Sequence, residues 1–281
     1  MLRPAARADQ AQIANLLYFE EHVHRHLDWR APLDWLGSPN YWVLEEKGYV
    51  LAALACPQDP PGIAWIRLFT YGSPLTGPEA WSPLWEAVRG ELRAAGRASV
   101  AAIALQPWFE ALLCESGFES TQRIVLLEWR DRPLPSRRDL SDVIIRRMLL
   151  PDLAAVVEAD TASFAPLWRN SFGALRRAYA QAIVASVAED EHGQVIGYQV
   201  STGNPFGAHL ARLAVRPEAQ GRGVGEALVI DLLHRLRRRG PARLTVNTQD
   251  DNKASLALYE KIGFVRTGET FPVLTFPIAE A

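Results

Sequence analysis

The sequence predicts an α/β protein built twice over, two copies of one domain in which a largely antiparallel sheet is flanked by helices. Three observations carry this. The order of helix-like and strand-like segments repeats, a Gly-Phe pair closes each copy at about the same offset, and an arginine stands in the same strand of both. The chain has 281 residues, 48% apolar and 22% charged, long for one domain and comfortable for two with buried cores. The implied period is roughly 140 residues.

The first copy opens on LRPAARADQAQIANLL and the second on IIRRMLLPDLAAVVEAD. In each, a short strand-like piece meets a Pro- or Asp-marked helix start, followed by apolar residues at helical spacing. Two strand-like runs come next, NYWVLEE with YVLAALAC and then AIVASVAED with VIGYQVST, turning on Gly48 and Gly193. A third strand follows, IAWIRLFTYG or AHLARLAVRP, holding Arg67 or Arg212. A long helix, a short strand (SVAAIAL, RLTVNT) and another helix lead to Gly117-Phe118 or Gly263-Phe264 and a last strand. The polar, proline-bearing RDRPLPSRRDLSD reads as a linker. The expected division is a first domain over 1–130, a linker over 131–141 and a second domain over 142–281.

Composition narrows the function. A formal net charge of −2 gives bulk charge no part in holding a nucleic acid. Cys56 and Cys114 cannot make a disulfide framework and suit a reducing compartment. Polar residues interrupt every apolar stretch of the N-terminus, unlike a signal peptide, and no window approaches the about 20 apolar residues that cross a bilayer. The expectation is a cytoplasmic protein without a membrane or nucleic-acid partner. In HVHRH only His22 and His26 would share a helical face, with no further ligands nearby, so no metal is expected. HRLRRRG reads as the solvated cationic end of the long helix.

The stretch VRPEAQGRGVGEAL places Gly221, Gly223 and Gly225 at the mouth of that helix. Glycine lets main-chain N–H groups approach an anion, and a helix start adds unpaired donors and a positive dipole end. A tight connection alone would also use such glycines. A mononucleotide loop needs a Lys that is missing here, and a dinucleotide fingerprint needs a different glycine spacing. A third pattern, Q/R-x-x-G-x-G/A, is met by Gln220, Gly223 and Gly225. In the first copy the corresponding LTGPEAWSPL carries Pro78, which supplies no N–H.

With RLAVRPEAQGRGVGEAL, the strand ARLTVNT and NKASLALYEKIGF in this order, the second copy resembles the GNAT superfamily of acetyl-CoA-dependent N-acyltransferases. The resemblance is carried by residues 207–269, its flanking elements agree over about 142–278, and the first copy shares only the order of elements and CESGF. It implies two tandem GNAT-like domains, the first without a cofactor loop, each with a mixed, largely antiparallel sheet. It also implies that the strands near 208–215 and 242–248 splay apart. Acetyl-CoA would then be the co-substrate. Its pantetheine would lie along Leu213, Ala214 and Val215, and its diphosphate on Gln220, Gly221, Arg222, Gly223, Val224 and Gly225. Asn252, Ser255 and Tyr259 would approach it from the following helix, though an exposed polar stripe has the same spacing.

The implied chemistry is attack of a primary amine on a thioester. Tyr259 would protonate the leaving thiolate, and a main-chain N–H near Val215 would meet the oxyanion. His209 occupies the neighbourhood where many members place a Glu base; strand alternation groups it with Ala211 and Leu213, and a satisfied half-buried histidine fits equally. Glu189 and Asp190 are the other base candidates. Phe164, Trp168 and Phe172, at helical spacing, read as a core stripe or, by resemblance, as the acceptor pocket. The acceptor expected is a small molecule, a sugar-linked amine or a peptide N-terminus. The alternative is a non-catalytic acyl-CoA-binding regulatory module.

Overall fold

The structure, a computed structural model, describes residues 1–96, 98–130, 132–136, 140–204, 207–238 and 243–279. It divides into two compact units, Met1–Gln122 with Phe271–Ala281, and Arg123–Thr270. Four residues of the expected linker, 131 and 137–139, lie outside the described residues.

The first unit holds β1 (Leu2–Pro4), α1 (Gln10–Phe19), β2 (Val23–Arg25), β3 (Tyr41–Glu46), β4 (Tyr49–Ala55), β5 (Ile63–Trp65), β6 (Leu68–Tyr71), α2 (Gly77–Ala94), β7 (Ala98–Ile103) and α3 (Pro107–Glu115). One ladder runs β1-β3-β4-β6-β2, antiparallel throughout. In a second ladder β7 pairs in parallel with β5 and antiparallel with Val273–Ile278. Helix α2 turns Trp81, Leu84, Trp85, Val88 and Leu92 inward, the i, i+3, i+4, i+7 pattern of an amphipathic helix, against Phe69, Phe109 and Phe118. The HVHRH stretch is not a helix. Its middle is β2, in which Val23, His24 and Arg25 pair with Thr70, Phe69 and Leu68. His24 is buried, stacked 4.0 Å from Phe109, while His22 stacks on Tyr71.

The second unit holds the end of β8 (Glu119–Arg130), then β9 (Val143–Arg147), α4 (Leu153–Ser163), α5 (Phe172–Gln181), β10 (Val184–Asp190), β11 (Val195–Asn204), β12 (Gly207–Val215), α6 (Val224–Arg237), β13 (Arg243–Gln249), α7 (Lys253–Ile262) and the start of β14 (Val265–Ile278). Its strand order is β9-β10-β11-β12-β13-β8, antiparallel except between β12 and β13. The sheet is therefore mixed, with helices packed on it, as the sequence predicts. Its main core lies between the strands and helices α6 and α7, with Leu210, Leu232, Leu236, Leu244, Val246 and Phe264 at the centre.

The units do not end where the sequence halves do. Residues 124–130 of β8 pair with β13 in the second unit, and residues 273–278 of β14 pair with β7 in the first. Each half thus ends on a strand that completes the sheet of the other unit. The duplication also reaches side chains. In the first unit Arg3 grips Asp9 through two 2.8 Å hydrogen bonds and also bonds Glu45. In the second, Arg146 grips Asp152 at 2.7 and 2.8 Å and also bonds Glu189.

Candidate active site

Strand β12 pairs with β13 only at its beginning, where Ala208, His209 and Leu210 face Leu244, Thr245 and Val246. Beyond that point β12 stays on β11 as far as Val215, and β13 stays on β8 as far as Gln249. Ala211–Val215 and Asn247–Gln249 therefore border a split with no ladder between them. The Arg216 N–H reaches the Ile196 carbonyl at 2.8 Å. Alternation then turns the peptide groups of Ala214 toward β11 and those of Leu213 and Val215 toward the split. The Val215 carbonyl is already taken, accepting from Ser163 Oγ and Gln220 Nε2, both at 3.0 Å. Leu213 and the Val215 N–H are what β12 offers a ligand. Ala214 offers nothing to that side, which corrects its place among the three.

At the end of β12 the chain makes one short turn and enters α6. Gly221 (φ 75°) and Gly223 (φ 89°) lie in the left-handed region, which explains why these two are glycine. A β carbon on Gly225 would meet Leu258 Cδ2 at 3.4 Å and Val215 Cγ2 at 3.6 Å, ordinary contacts, so packing within the chain does not by itself require glycine there. Gly223 caps α6 with no side-chain hydrogen bond, leaving the first helical N–H groups unanswered by any side-chain cap. Val224 turns its side chain into the core with Ala188, Ile196 and Leu228 and gives the site only its backbone. Arg222 is engaged by Asp142, and Gln220 braces the turn from within. The counterpart helix α2 differs. Glu79 accepts from the Thr76 backbone at 2.8 Å and its hydroxyl at 2.7 Å, so a carboxylate of the chain itself lies at that helix start.

Asn252 caps α7, its side chain accepting from the Ser255 N–H at 3.1 Å. That occupies the Asn252 oxygen and the Ser255 amide in holding the helix. Tyr259 is buried among Leu256, Ile262 and Phe264, and desolvation pushes its phenol well above the usual tyrosine range. The polar-stripe reading fails for it.

His209 stands where β12 and β13 part, Nδ1 2.9 Å from Thr245 Oγ1 and Nε2 3.0 Å from Asn247 Oδ1. Both ring nitrogens are engaged, and burial lowers its pKa while Asn247 raises it less. The alternation that groups it with Leu213 does not hold. The ladder slips between Val200 and Ser201, which pair with Arg212 and Leu210, so Ala211 is an extra residue on β12. This bulge moves the core face from Ala208 and Leu210 to Leu213. Glu189 is held by Arg146, as Glu45 is by Arg3, and Asp190 accepts the His192 and Gln194 N–H groups at 3.0 and 2.9 Å in the hairpin turn. Each of these carboxylates has a structural task.

The three aromatics are not a helical stripe. Helix α4 ends at Ser163, a short turn covers Pro166–Trp168, and Phe172 opens α5 with half its surface exposed. What organises this loop is Asp160, fully buried and absent from the sequence candidates. It accepts from Tyr198 Oη at 2.5 Å, Arg212 Nε at 2.7 Å and the Asn170 N–H at 2.9 Å. Arg212 also donates to the Trp168 carbonyl at 2.6 Å and lies 3.5 Å over the Phe164 ring. A tie from β12 thus fixes Phe164 and Trp168 beside the strand that borders the split. The matching Arg67 pairs with Asp28 at 3.1 Å, so the arginine shared by the two strands turns to a carboxylate in both units.

A split mixed sheet with an uncapped, glycine-turned helix at its mouth defines the acyltransferase fold of the GNAT type, here in tandem. Residues 151–264 match the acetyltransferase (GNAT) family. A mycothiol acetyltransferase of Amycolatopsis mediterranei is 32% identical over 184 residues, covering 57% of this chain and 59% of that protein. The [ribosomal protein bS18]-alanine N-acetyltransferase of Escherichia coli is 42% identical over 57 residues, 20% of this chain and 38% of that one. The chain thus spans less than two thirds of each. A solved tandem GNAT protein from the clavulanic acid biosynthesis pathway is 17% identical, with a TM-score of 0.69 over 100% of this chain and 99% of its own, a likeness of fold.

Proposed function

We propose that the unit Arg123–Thr270 is an N-acetyltransferase that moves the acetyl group of acetyl-CoA to a primary amine by direct transfer in a ternary complex. The acceptor is a small molecule, a sugar-linked amine or a peptide N-terminus; relatives named for mycothiol and for the alanine of a ribosomal protein support a small-molecule and a protein acceptor. One observation carries the reading. The uncapped start of α6 opens at the mouth of the β12–β13 split, so an anion at the first and an amide-bearing arm in the second belong to one extended ligand.

The residues present fit that ligand. Backbone N–H groups from Gly221 to Gly225 stand at a helix start that no side chain caps, a place for a diphosphate, and Leu213 and Val215 offer a strand edge to pantetheine. Acetyl-CoA supplies an activated acetyl thioester. The Val215 N–H then serves the oxygen that gains charge, while Ser163 and Gln220 hold the Val215 carbonyl, one peptide further along. Tyr259, kept protonated by burial, donates to the departing sulfur. His209 ties the two strands where they part; its Nε2–H donates to Asn247 Oδ1, so Nδ1 must leave the Thr245 hydroxyl before it can take a proton.

The first unit supports a single cofactor site. Its β6 corresponds to β12 and its β7 to β13, and β2 lies on the β6 edge that corresponds to the open edge of β12. The chain's own strand fills the place a pantetheine would take. Incubation with acetyl-CoA and a panel of primary amines, following free thiol, tests the activity. Amine-dependent thiol release is expected. Coenzyme binding with no release for any amine class would favour the regulatory module.

A further inference from the structure

We infer a second anion site in the unit Arg123–Thr270, at the end of α6 remote from the glycine loop, that takes a small multiply charged anion of the phosphate or tricarboxylate kind. A cavity of about 540 Å³ lies there, lined by Arg147, Met148, Tyr179, Ile183, Arg235 and Arg238. The end of β9, the last turn of α5, the start of β10 and the last turn of α6 meet around it. Helix α6 has 14 residues, so at 1.5 Å per residue about 20 Å separates this hollow from Gly223.

Charge gives the cavity its chemistry. Arg235 is tied through Nε to buried Asp231 at 2.5 Å, which neutralises one of the three guanidiniums. Among the described residues Arg147 and Arg238 have no carboxylate partner, so the lining carries two positive charges in excess. The negative end of the α6 dipole accounts for cations at 235 and 238. It does not account for Arg147, which comes from a strand. There alternation sends the neighbouring Arg146 to Asp152 and Glu189 and leaves Arg147 to the cavity. Cations from two elements thus line one half-apolar hollow, where an anion could bond to both at once. Guanidinium forks grip a planar carboxylate or a phosphate in pairs of hydrogen bonds, and the Tyr179 hydroxyl adds a donor.

Calorimetric titration of the intact chain with inorganic phosphate and, separately, with citrate tests the site at low ionic strength. The R147Q/R238Q variant, changed at two exposed side chains, serves as comparison. One saturable site is expected, weakened at least tenfold in the variant and undisturbed by saturating acetyl-CoA; the better of the two probes tells phosphate from carboxylate recognition. Absence of saturable binding by both probes, or equal binding by the variant, would overturn the inference. So would displacement by acetyl-CoA, which would put the anion on the glycine loop. Neither arginine belongs to that loop, so the fate of this site and that of the acetyltransferase reading are separable.

Discussion

Burial holds the Tyr259 phenol protonated throughout the neutral range, the state an acid needs before it gives its proton away. Phenylalanine at this position keeps the ring against Phe264, 5.4 Å away, and removes only the hydroxyl. Tyr259→Phe should therefore lower kcat by about 10²–10⁴-fold and leave the KM for acetyl-CoA nearly unchanged, as steady-state kinetics will measure. A rise in KM alone would make the tyrosine a packing residue. Arg212 answers to a different balance. Its partner Asp160 is fully buried, so Arg212→Met leaves a carboxylate with only the Tyr198 hydroxyl and the Asn170 N–H. Urea unfolding should show a loss of about 3–5 kcal/mol, and adding Asp160→Asn should return part of it.

Among the elements, the glycine loop and α7 were legible because their chemistry lies in local spacing: two glycines with positive φ, an Asn cap and an inward tyrosine. The bulge at Ala211 was not, because period-two arithmetic assumes an unbroken ladder, and the side-chain face shifts with it. Asp160 was missed because a carboxylate late in a helix reads as solvated until its partners on β11 and β12 are known. The short strand β2 was hidden by its histidines, which suggest ligands before they suggest packing. Its burial has a consequence for acid stability. Desolvation lowers the His24 pKa from 6.5 to about 4. Between those values the unfolded chain binds a proton that the folded chain refuses, so stability falls as pH drops from 6.5 toward 4 and is whole above 6.5. From pH 7 to 5 the loss from this residue is about 2 kcal/mol. Urea titrations should show a drop over this range that is about 2 kcal/mol smaller in His24→Gln, the remainder coming from groups such as His26, whose pKa burial also lowers. An equal pH slope in both would exclude His24 as its source.

At the scale of the molecule, the repeated order of elements was legible and the partners of the last strands were not, since a strand's sequence does not say which edge it joins. Residues 124–130 belong to the sheet of the second unit and 273–278 to that of the first. A fragment 123–270 should accordingly unfold cooperatively, while a fragment 142–281 should not, having lost the strand that covers β13. Circular dichroism during thermal melting decides between them, and cooperative melting of 142–281 alone would contradict the assignment of strands.

If β2 and Glu79 fill the first unit's counterpart of the site, the chain holds a single acetyl-CoA site, at the start of α6. Calorimetric titration of the intact chain with acetyl-CoA tests it most directly, with Gly223→Pro as control because a proline cannot adopt the φ of 89° found there. One site per chain is expected, lost in the variant, with stabilisation of the wild type by about 2.7 kcal/mol at a hundred times the Kd. Two sites per chain, or one site unchanged in Gly223→Pro, would contradict it.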